Sequence, residues 1–279
     1  MSRSGPRNFE RTPFRAGEPV LIVDERGKKH VVHLQTGFQS HHGRAGRVFH
    51  DSIIGRPPGL RFVTEKGEEI LCLRPTLSEY VLKKLKRRTQ IIYPKDLGAL
   101  LVEGNIYPGA RVLEAGIGSG SVALLLRRFL GPDGVLISYE KREEFVQLSR
   151  DTLEEFQALY GGSPAGHAIR LRDVYEGIEE TDLDTVILDV PEPHRAVEAA
   201  AKALRPNGIL LCWLPTALQV FSLVRELQEC PNWASITTTE SLLRPWVIGA
   251  RSIRPAHRMV AHTGFLVSAR RVETIQFLP

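Results

Sequence analysis

The sequence predicts an α/β protein: a doubly wound, mostly parallel sheet with an antiparallel last strand, preceded by a small all-β domain. Three observations carry that prediction. Short β-type runs separated by Gly, Pro and Asp fill roughly the first 75 residues. From Arg111 onward, apolar strand-like runs alternate with helical periods, the pattern of βαβ units in a parallel sheet. Near the end the alternation stops, and two β-type runs follow with no clear helix between them, which requires antiparallel pairing.

In chain order, residues 19–23 and 30–34 flank the turn sequence Asp24-Glu25-Arg26-Gly27, and residues 49–54, 60–64 and 69–73 continue the β pattern. Thr76 can cap a helix running through Leu77, Tyr80, Val81 and Leu85, and this helix carries the basic cluster Lys83, Lys84, Lys86, Arg87 and Arg88. Residues 111–114 form a strand that enters a Gly-rich turn and a helix over 122–130. Strands at 135–140, 168–171, 183–190 and 209–213 alternate with helices at 143–159, 195–204 and 217–228. Residues 235–240 and 263–268 form the closing antiparallel pair. The organisation expected is a small all-β domain (1–75), a linker helix and pocket segment (76–108) and the sheet domain (109–279).

Composition bounds the function. A chain of 279 residues can bury a large core without disulfides or metal staples. With 42% hydrophobic and 25% charged residues it resembles ordinary soluble domains. No apolar run is long enough to span a bilayer, and the run at 208–214 is stopped by Pro215, so no membrane role is expected. The N-terminal Met1-Ser2-Arg3-Ser4-Gly5-Pro6 holds no apolar signal stretch. Cys72, Cys212 and Cys230 form no CxxC pair and no ligand cluster, so neither a disulfide framework nor a metal site is expected, consistent with a reducing cytoplasm. The net charge of +5 leans toward a polyanionic partner, with a second basic group at Arg244, Arg251, Arg254, Arg258, Arg270 and Arg271. Each basic group reads equally as solvated surface.

The chemistry concentrates in four places. Glu114-Ala115-Gly116-Ile117-Gly118-Ser119-Gly120 stands where the first sheet strand meets its helix, where glycines allow a tight turn and close approach to a ligand. Glu140 ends the next strand, 26 residues after Glu114, where a carboxylate accepts hydrogen bonds from the ribose hydroxyls of an adenosine cofactor. The third glycine comes one residue too early for a dinucleotide fingerprint, and Glu114 would repel a pyrophosphate. Both features favour S-adenosylmethionine, which carries an ammonium and a sulfonium. Asp173 follows the third strand, placed to reach an adenine amino group or to cap a turn. Asp189, in Asp189-Val190-Pro191-Glu192-Pro193, ends the fourth strand, where a methyl acceptor would meet the cofactor; the alternative is a helix cap. Its carboxylate can hold an exocyclic amine and help remove a proton from a base alkylated on nitrogen. Tyr93, beside the basic helix, reads as a stacking platform or as a packed structural aromatic.

Together these motifs resemble the tRNA (adenine-N1)-methyltransferases of bacteria and archaea. The matching stretches are Gln90-Ile91-Ile92-Tyr93-Pro94-Lys95-Asp96, residues 112–120, Ser138-Tyr139-Glu140, the Asp189 to Pro193 segment, and the segment 257–266, which includes His262-Thr263-Gly264-Phe265-Leu266. The resemblance runs almost end to end. It implies a Rossmann-like class I methyltransferase sheet, a homotetramer, and methylation of N1 of a T-loop adenosine, usually position 58. It also implies that Glu114, Gly116, Gly118, Ser119, Gly120, Glu140 and Asp173 hold the cofactor. Asp189 would be the catalytic carboxylate, and Gln90 and Tyr93 would lie between cofactor and target base. Lys83, Lys84 and Arg87 would grip tRNA phosphate. The family commonly has Trp after the Pro-Glu-Pro segment; here that position is His194, which would face the substrate. Two other readings stand beside this one. A same-fold methyltransferase for another substrate would need neither the β domain nor the basic helix. A silent RNA-binding subunit would not need the intact glycine loop, Glu140 and Asp189.

Overall fold

In the computed structural model the described residues are 12–83, 91–160 and 165–273. They fall in two compact units, Met1–Lys86 with Glu154–Gly162, and Arg87–Leu153 with Ser163–Pro279. The segment expected to be a linker divides between them.

In the first unit, strands β1 (Pro19–Asp24) and β2 (Lys29–His33) form a hairpin whose turn is closed by Asp24, its carboxylate accepting the amides of Arg26 and Lys28 at 3.0 and 2.8 Å. Strands β3 (Gln39–His41) and β4 (Arg47–Phe49) form a second hairpin, and β5 (Leu60–Val63) and β6 (Glu69–Leu73) complete a four-stranded antiparallel sheet in the order β2-β1-β6-β5. Phe14, Val20, Ile22, Leu34, Ile53, Ile70 and Cys72 form its core. The strand expected at 49–54 is corrected: β4 ends at Phe49 and a 3₁₀ turn, His50–Ser52, follows. The reason is local hydrogen bonding. His50 Nδ1 accepts the Gln35 amide at 3.0 Å and the Asp51 carboxylate accepts that of Gly37, which draws the chain out of the extended state. Helix α1 (Leu77–Lys83) opens with a reciprocal capping box: Thr76 Oγ1 accepts the Glu79 amide and Glu79 accepts that of Thr76. Leu85 lies outside the described residues.

The second unit begins with α2 (Pro94–Glu103), a helix inside the stretch expected to be a linker and pocket segment. Its signals were present: Pro94 at the first helical position and Asp96 in the first turn. Then come β7 (Arg111–Ala115), α3 (Ser121–Phe129), β8 (Val135–Glu140), α4 (Glu143–Tyr160), whose residues from Glu154 on belong to the first unit, β9 (Gly166–Leu171) and β10 (Leu183–Leu188). They are followed by α5 (Val197–Ala203), β11 (Leu204–Leu214), α6 (Ala217–Glu229), β12 (Trp233–Thr239), β13 (Trp246–Gly249), β14 (Ser252–Pro255) and β15 (Phe265–Arg271). The sheet order is β12-β15-β11-β10-β7-β8-β9. The five strands from β11 to β9 are parallel, while β15 inserts antiparallel between β11 and β12. Central strands β7 and β10 are almost wholly buried, as strands covered on both faces must be. The β13–β14 hairpin lies between the two strands expected to close the sheet and was not expected.

Two contacts explain otherwise unassigned motif residues. Lys95 and Asp96, both nearly buried, pair at 2.8 Å; Lys95 also donates to the Ser241 carbonyl (2.6 Å), and Asp96 accepts from Thr263 Oγ1 (2.7 Å). Gly264 has no room for a side chain, because a Cβ there would lie 2.4 Å from the Trp213 indole. Gly264→Ala is therefore expected to destabilise the fold by about 1–3 kcal/mol through overpacking, seen as a lower urea midpoint at an unchanged slope.

Candidate functional site

The chain passes from β7 outward to β8 and β9, then returns to β10 and β11 on the other side of β7. Strand order therefore reverses between β7 and β10, and the loops leaving their carboxyl ends diverge to open a crevice. The two loops nearly touch. The Asp189 amide donates to the Ala115 carbonyl at 2.7 Å. At Gly116 (φ +60°) an added Cβ would lie 2.6 Å from the Asp189 carbonyl oxygen, so only glycine fits. Gly120 (φ +83°) supplies the left-handed residue that starts α3.

A cavity of about 200 Å³ lies at this crevice, lined by Gly116, Glu140, Asp173, Tyr175, Asp189 and Pro191 among others. Glu140 is 5% exposed and accepts from the Gly118 amide (3.3 Å) and from the amide and Nε of Arg142 (3.1 and 3.3 Å). The glycine loop and the acidic strand end are thus joined directly. Asp173 accepts the Tyr175 amide at 3.1 Å and lies 3.8 Å from Lys141 Nζ, so it caps a 3₁₀ turn and faces the cavity at once. Of the two alternatives read for it from the sequence, the turn cap is the one the structure shows.

Glu114 lies beneath the cavity rather than on its wall. Its buried carboxyl accepts from Ser138 Oγ at 2.6 Å, and that hydroxyl also meets His167 Nε2 at 2.7 Å. Burial, reinforced by the charge of Asp189, pushes Glu114 up to about 8. Asp189 is pushed up to about 7 by burial and by the charge of Glu140. The site is thus a cluster of carboxyl groups that repel one another. Such a cluster suits a cationic ligand with an adenosine part and opposes a pyrophosphate, so the residues present fit S-adenosylmethionine.

Other expected site residues are less central. Gly118, Ser119 and Gly120 shape the loop without lining the cavity; Ser119 is buried. Tyr93, half-buried, occupies the position before α2 and accepts the amides of Asp96 and Leu97 through its carbonyl. His194 is half-buried in a 3₁₀ turn, Pro193–Ala196, directly after the Asp189 loop. Lys83 ends α1, but its side chain, together with Lys84, Arg87 and Gln90, lies outside the described residues. Sequence reasoning missed Tyr139, Lys141, Arg142, Arg172 and Tyr175, all on the cavity wall. Their nearness to Glu140 and Asp173 in the chain was the available signal. Among the described residues, no group of three or more His, Cys, Asp or Glu could hold a metal ion, and no helix is long and apolar enough to cross a membrane.

The family described as tRNA methyltransferase complex GCD14 subunit matches residues 70–254, and the TrmI-like N-terminal family matches residues 13–60. The chain is 36% identical over 253 residues to the tRNA (adenine(58)-N(1))-methyltransferase TrmI of Thermus thermophilus, covering 91% of this chain and 96% of that protein. Among solved structures it resembles a Thermotoga maritima chain titled a SAM-dependent O-methyltransferase, with TM-score 0.87 and 31% identity, over 95% of this chain and 97% of that one. It also resembles the Aquifex aeolicus tRNA (m1A58) methyltransferase TrmI, with TM-score 0.82 and 29% identity, over 94% and 100% of the two chains.

The raised carboxyl at Glu114 has a signed consequence for stability. The folded protein keeps a proton that the unfolded chain releases above its ordinary value of 4.5. The stabilisation is full below pH 4.5 and is lost as pH rises toward about 8. In Glu114→Gln, the melting temperature of the cofactor-free protein should fall less between pH 5 and pH 8 than in the wild type. Affinity for S-adenosylhomocysteine, by calorimetry, should weaken.

Proposed function

The chain belongs to the TrmI family of tRNA (adenine-N1)-methyltransferases, and on that premise we propose that it methylates N1 of the adenosine at position 58 in the tRNA T-loop, using S-adenosylmethionine. The observation that carries the reading is the placement of Asp189, at the switch point and on the cavity wall, with its carboxyl raised to about 7 beside Glu140. The Thermus thermophilus relative and the Aquifex aeolicus structure, whose names give the same reaction, support it.

The bound cofactor supplies a methyl group on a cationic sulfur. Glu140 would hold the ribose hydroxyls and Asp173 the adenine amino group, and Gly116, Gly118, Ser119 and Gly120 would let the loop approach the ligand closely. Glu114 balances the cofactor's positive charge from below. The target adenine must leave its stack at a cost of a few kcal/mol. Methylation at N1 would leave a positive charge on the base. Asp189 accepts a hydrogen bond from the N6 amino group and favours its loss of a proton. That role requires the ionised carboxylate, so kcat/KM should climb with pH and level off above about 7. Orientation of two reactants supplies much of the remaining acceleration. Tyr93 and Gln90 would contact the base, His194 would border it in the place of the family's Trp, and Lys83, Lys84 and Arg87 would hold phosphate. We place the reaction in the cytoplasm, where its tRNA substrate is found.

A homotetramer completes the reading, and the β13–β14 hairpin supports it. Ile248 pairs with Ile253 across the hairpin, and both are more than 70% exposed, with Trp246, Leu242 and Leu243 exposed nearby. An apolar surface of that kind is covered by a second copy of the chain. Ile248→Asp combined with Ile253→Asp should shift the assembly to smaller species in analytical ultracentrifugation; an unchanged sedimentation coefficient would place the interface elsewhere.

The reaction is tested by incubating unmodified tRNA with the protein and cofactor and mapping methylated nucleosides by mass spectrometry. N1-methyladenosine at position 58 is expected. Asp189→Ala should lower kcat by about 10²-fold or more while leaving S-adenosylhomocysteine affinity largely intact. Near-normal turnover in that variant would sink the assignment.

A further inference from the structure

The loop that carries Asp189 has few ways to be held. Pro191 and Pro193 have no amide hydrogen, which leaves the amides of Asp189, Val190 and Glu192 as its backbone donors from 189 to 193. The Asp189 amide is used on the Ala115 carbonyl at 2.7 Å. The Glu192 amide donates to the hydroxyl of Tyr175 at 2.9 Å. On the acceptor side, Gln219 Nε2 from α6 donates to the Pro191 carbonyl at 2.9 Å.

Tyr175 is more than an anchor. It lies in the 3₁₀ turn that Asp173 caps, and it lines the cavity together with Asp189, Val190 and Pro191. The Arg195 guanidinium lies 4.4 Å from the centre of the Tyr175 ring and pairs with the Glu192 carboxylate at 2.9 Å. Three side chains therefore close a ring around the loop: Tyr175 to the Glu192 amide, Glu192 to Arg195, and Arg195 back over the Tyr175 face. Both charged members are about half exposed, so the ion pair alone is weak; the hydroxyl bond and the stacked cation give the ring its geometry.

We propose that Tyr175 is a positioning residue that couples occupancy of the cofactor cavity to the setting of the Asp189 loop. A ligand in the cavity packs against the same side chain whose hydroxyl fixes residue 192, so ordering of the ring orders the loop. The proposal rests on the methyltransferase reading for its effect on turnover. Its effect on the loop is independent of that reading.

Tyr175→Phe in the full-length protein keeps the ring and the stacked Arg195 but removes the acceptor oxygen. Amide exchange within residues 189–196, followed by mass spectrometry with S-adenosylhomocysteine bound, should quicken about three- to tenfold, and kcat should fall by a similar factor, while affinity for that ligand stays within about twofold. Tyr175→Ala should show both effects and bind the ligand more weakly. Unchanged exchange in Tyr175→Phe overturns the proposal, whether or not kcat falls. Faster exchange with unchanged kcat in an active enzyme also overturns it, because the loop would then not need its anchor. If the wild-type protein does not methylate tRNA, exchange and ligand affinity decide the coupling by themselves.

Discussion

The hydrogen bond between the Asp189 amide and the Ala115 carbonyl joins the two strands at which the sheet reverses its order, and the site is arranged around it. It brings the end of β10 so close to the start of the glycine loop that Gly116 can carry no side chain. The first glycine of the motif is thus explained by a neighbouring backbone as much as by a ligand. The same approach sets Asp189 on the cavity wall with Glu140 and Asp173, although the three segments lie far apart in the chain.

Bringing carboxyl groups together in a half-dry crevice has a cost. Glu114 and Asp189 are both pushed upward, mainly by burial and then by a neighbouring negative charge, that of Asp189 on Glu114 and that of Glu140 on Asp189. Ser138 offsets part of this at Glu114 by donating to the carboxyl, and His167 supports Ser138 while burial and the charge of Arg127 hold its own value down to about 4. A cationic ligand would relieve the remaining repulsion. A binding site that is destabilising when empty gains affinity from that relief, because occupancy favours the ionised forms that folding alone disfavours.

Motifs outside the crevice have a different purpose. The buried Lys95–Asp96 pair ties the start of α2 to Ser241 and Thr263, and Gly264 makes room for Trp213. A buried ion pair is a poor source of stability compared with apolar packing, but it fixes geometry, since neither partner tolerates displacement from the other. These contacts connect the two family-like segments around Tyr93 and His262 within one unit.

The sequence by itself determined the alternation of strands and helices, the antiparallel end of the sheet, the glycine loop and the acidic residues at the ends of β7, β8 and β10. Those signals are local: hydrophobic period, glycine spacing and strand ends are written within a few residues. The strand expected at 49–54 failed because His50 and Asp51 bind loop amides from the 35–37 segment, which no local pattern reveals. Helix α2 has its start signals in Pro94 and Asp96 but lies within a stretch that reads as a motif, and the β13–β14 hairpin lacks the alternation of half-buried strands because its apolar residues are exposed. Only the tertiary structure decided that Glu114 supports the cavity from beneath, and that Tyr175 reaches the Glu192 amide from the turn after β9. Those facts depend on which strand ends become neighbours at the switch point. Neighbourhood across a sheet is set by strand order, and strand order is a property of the folded chain.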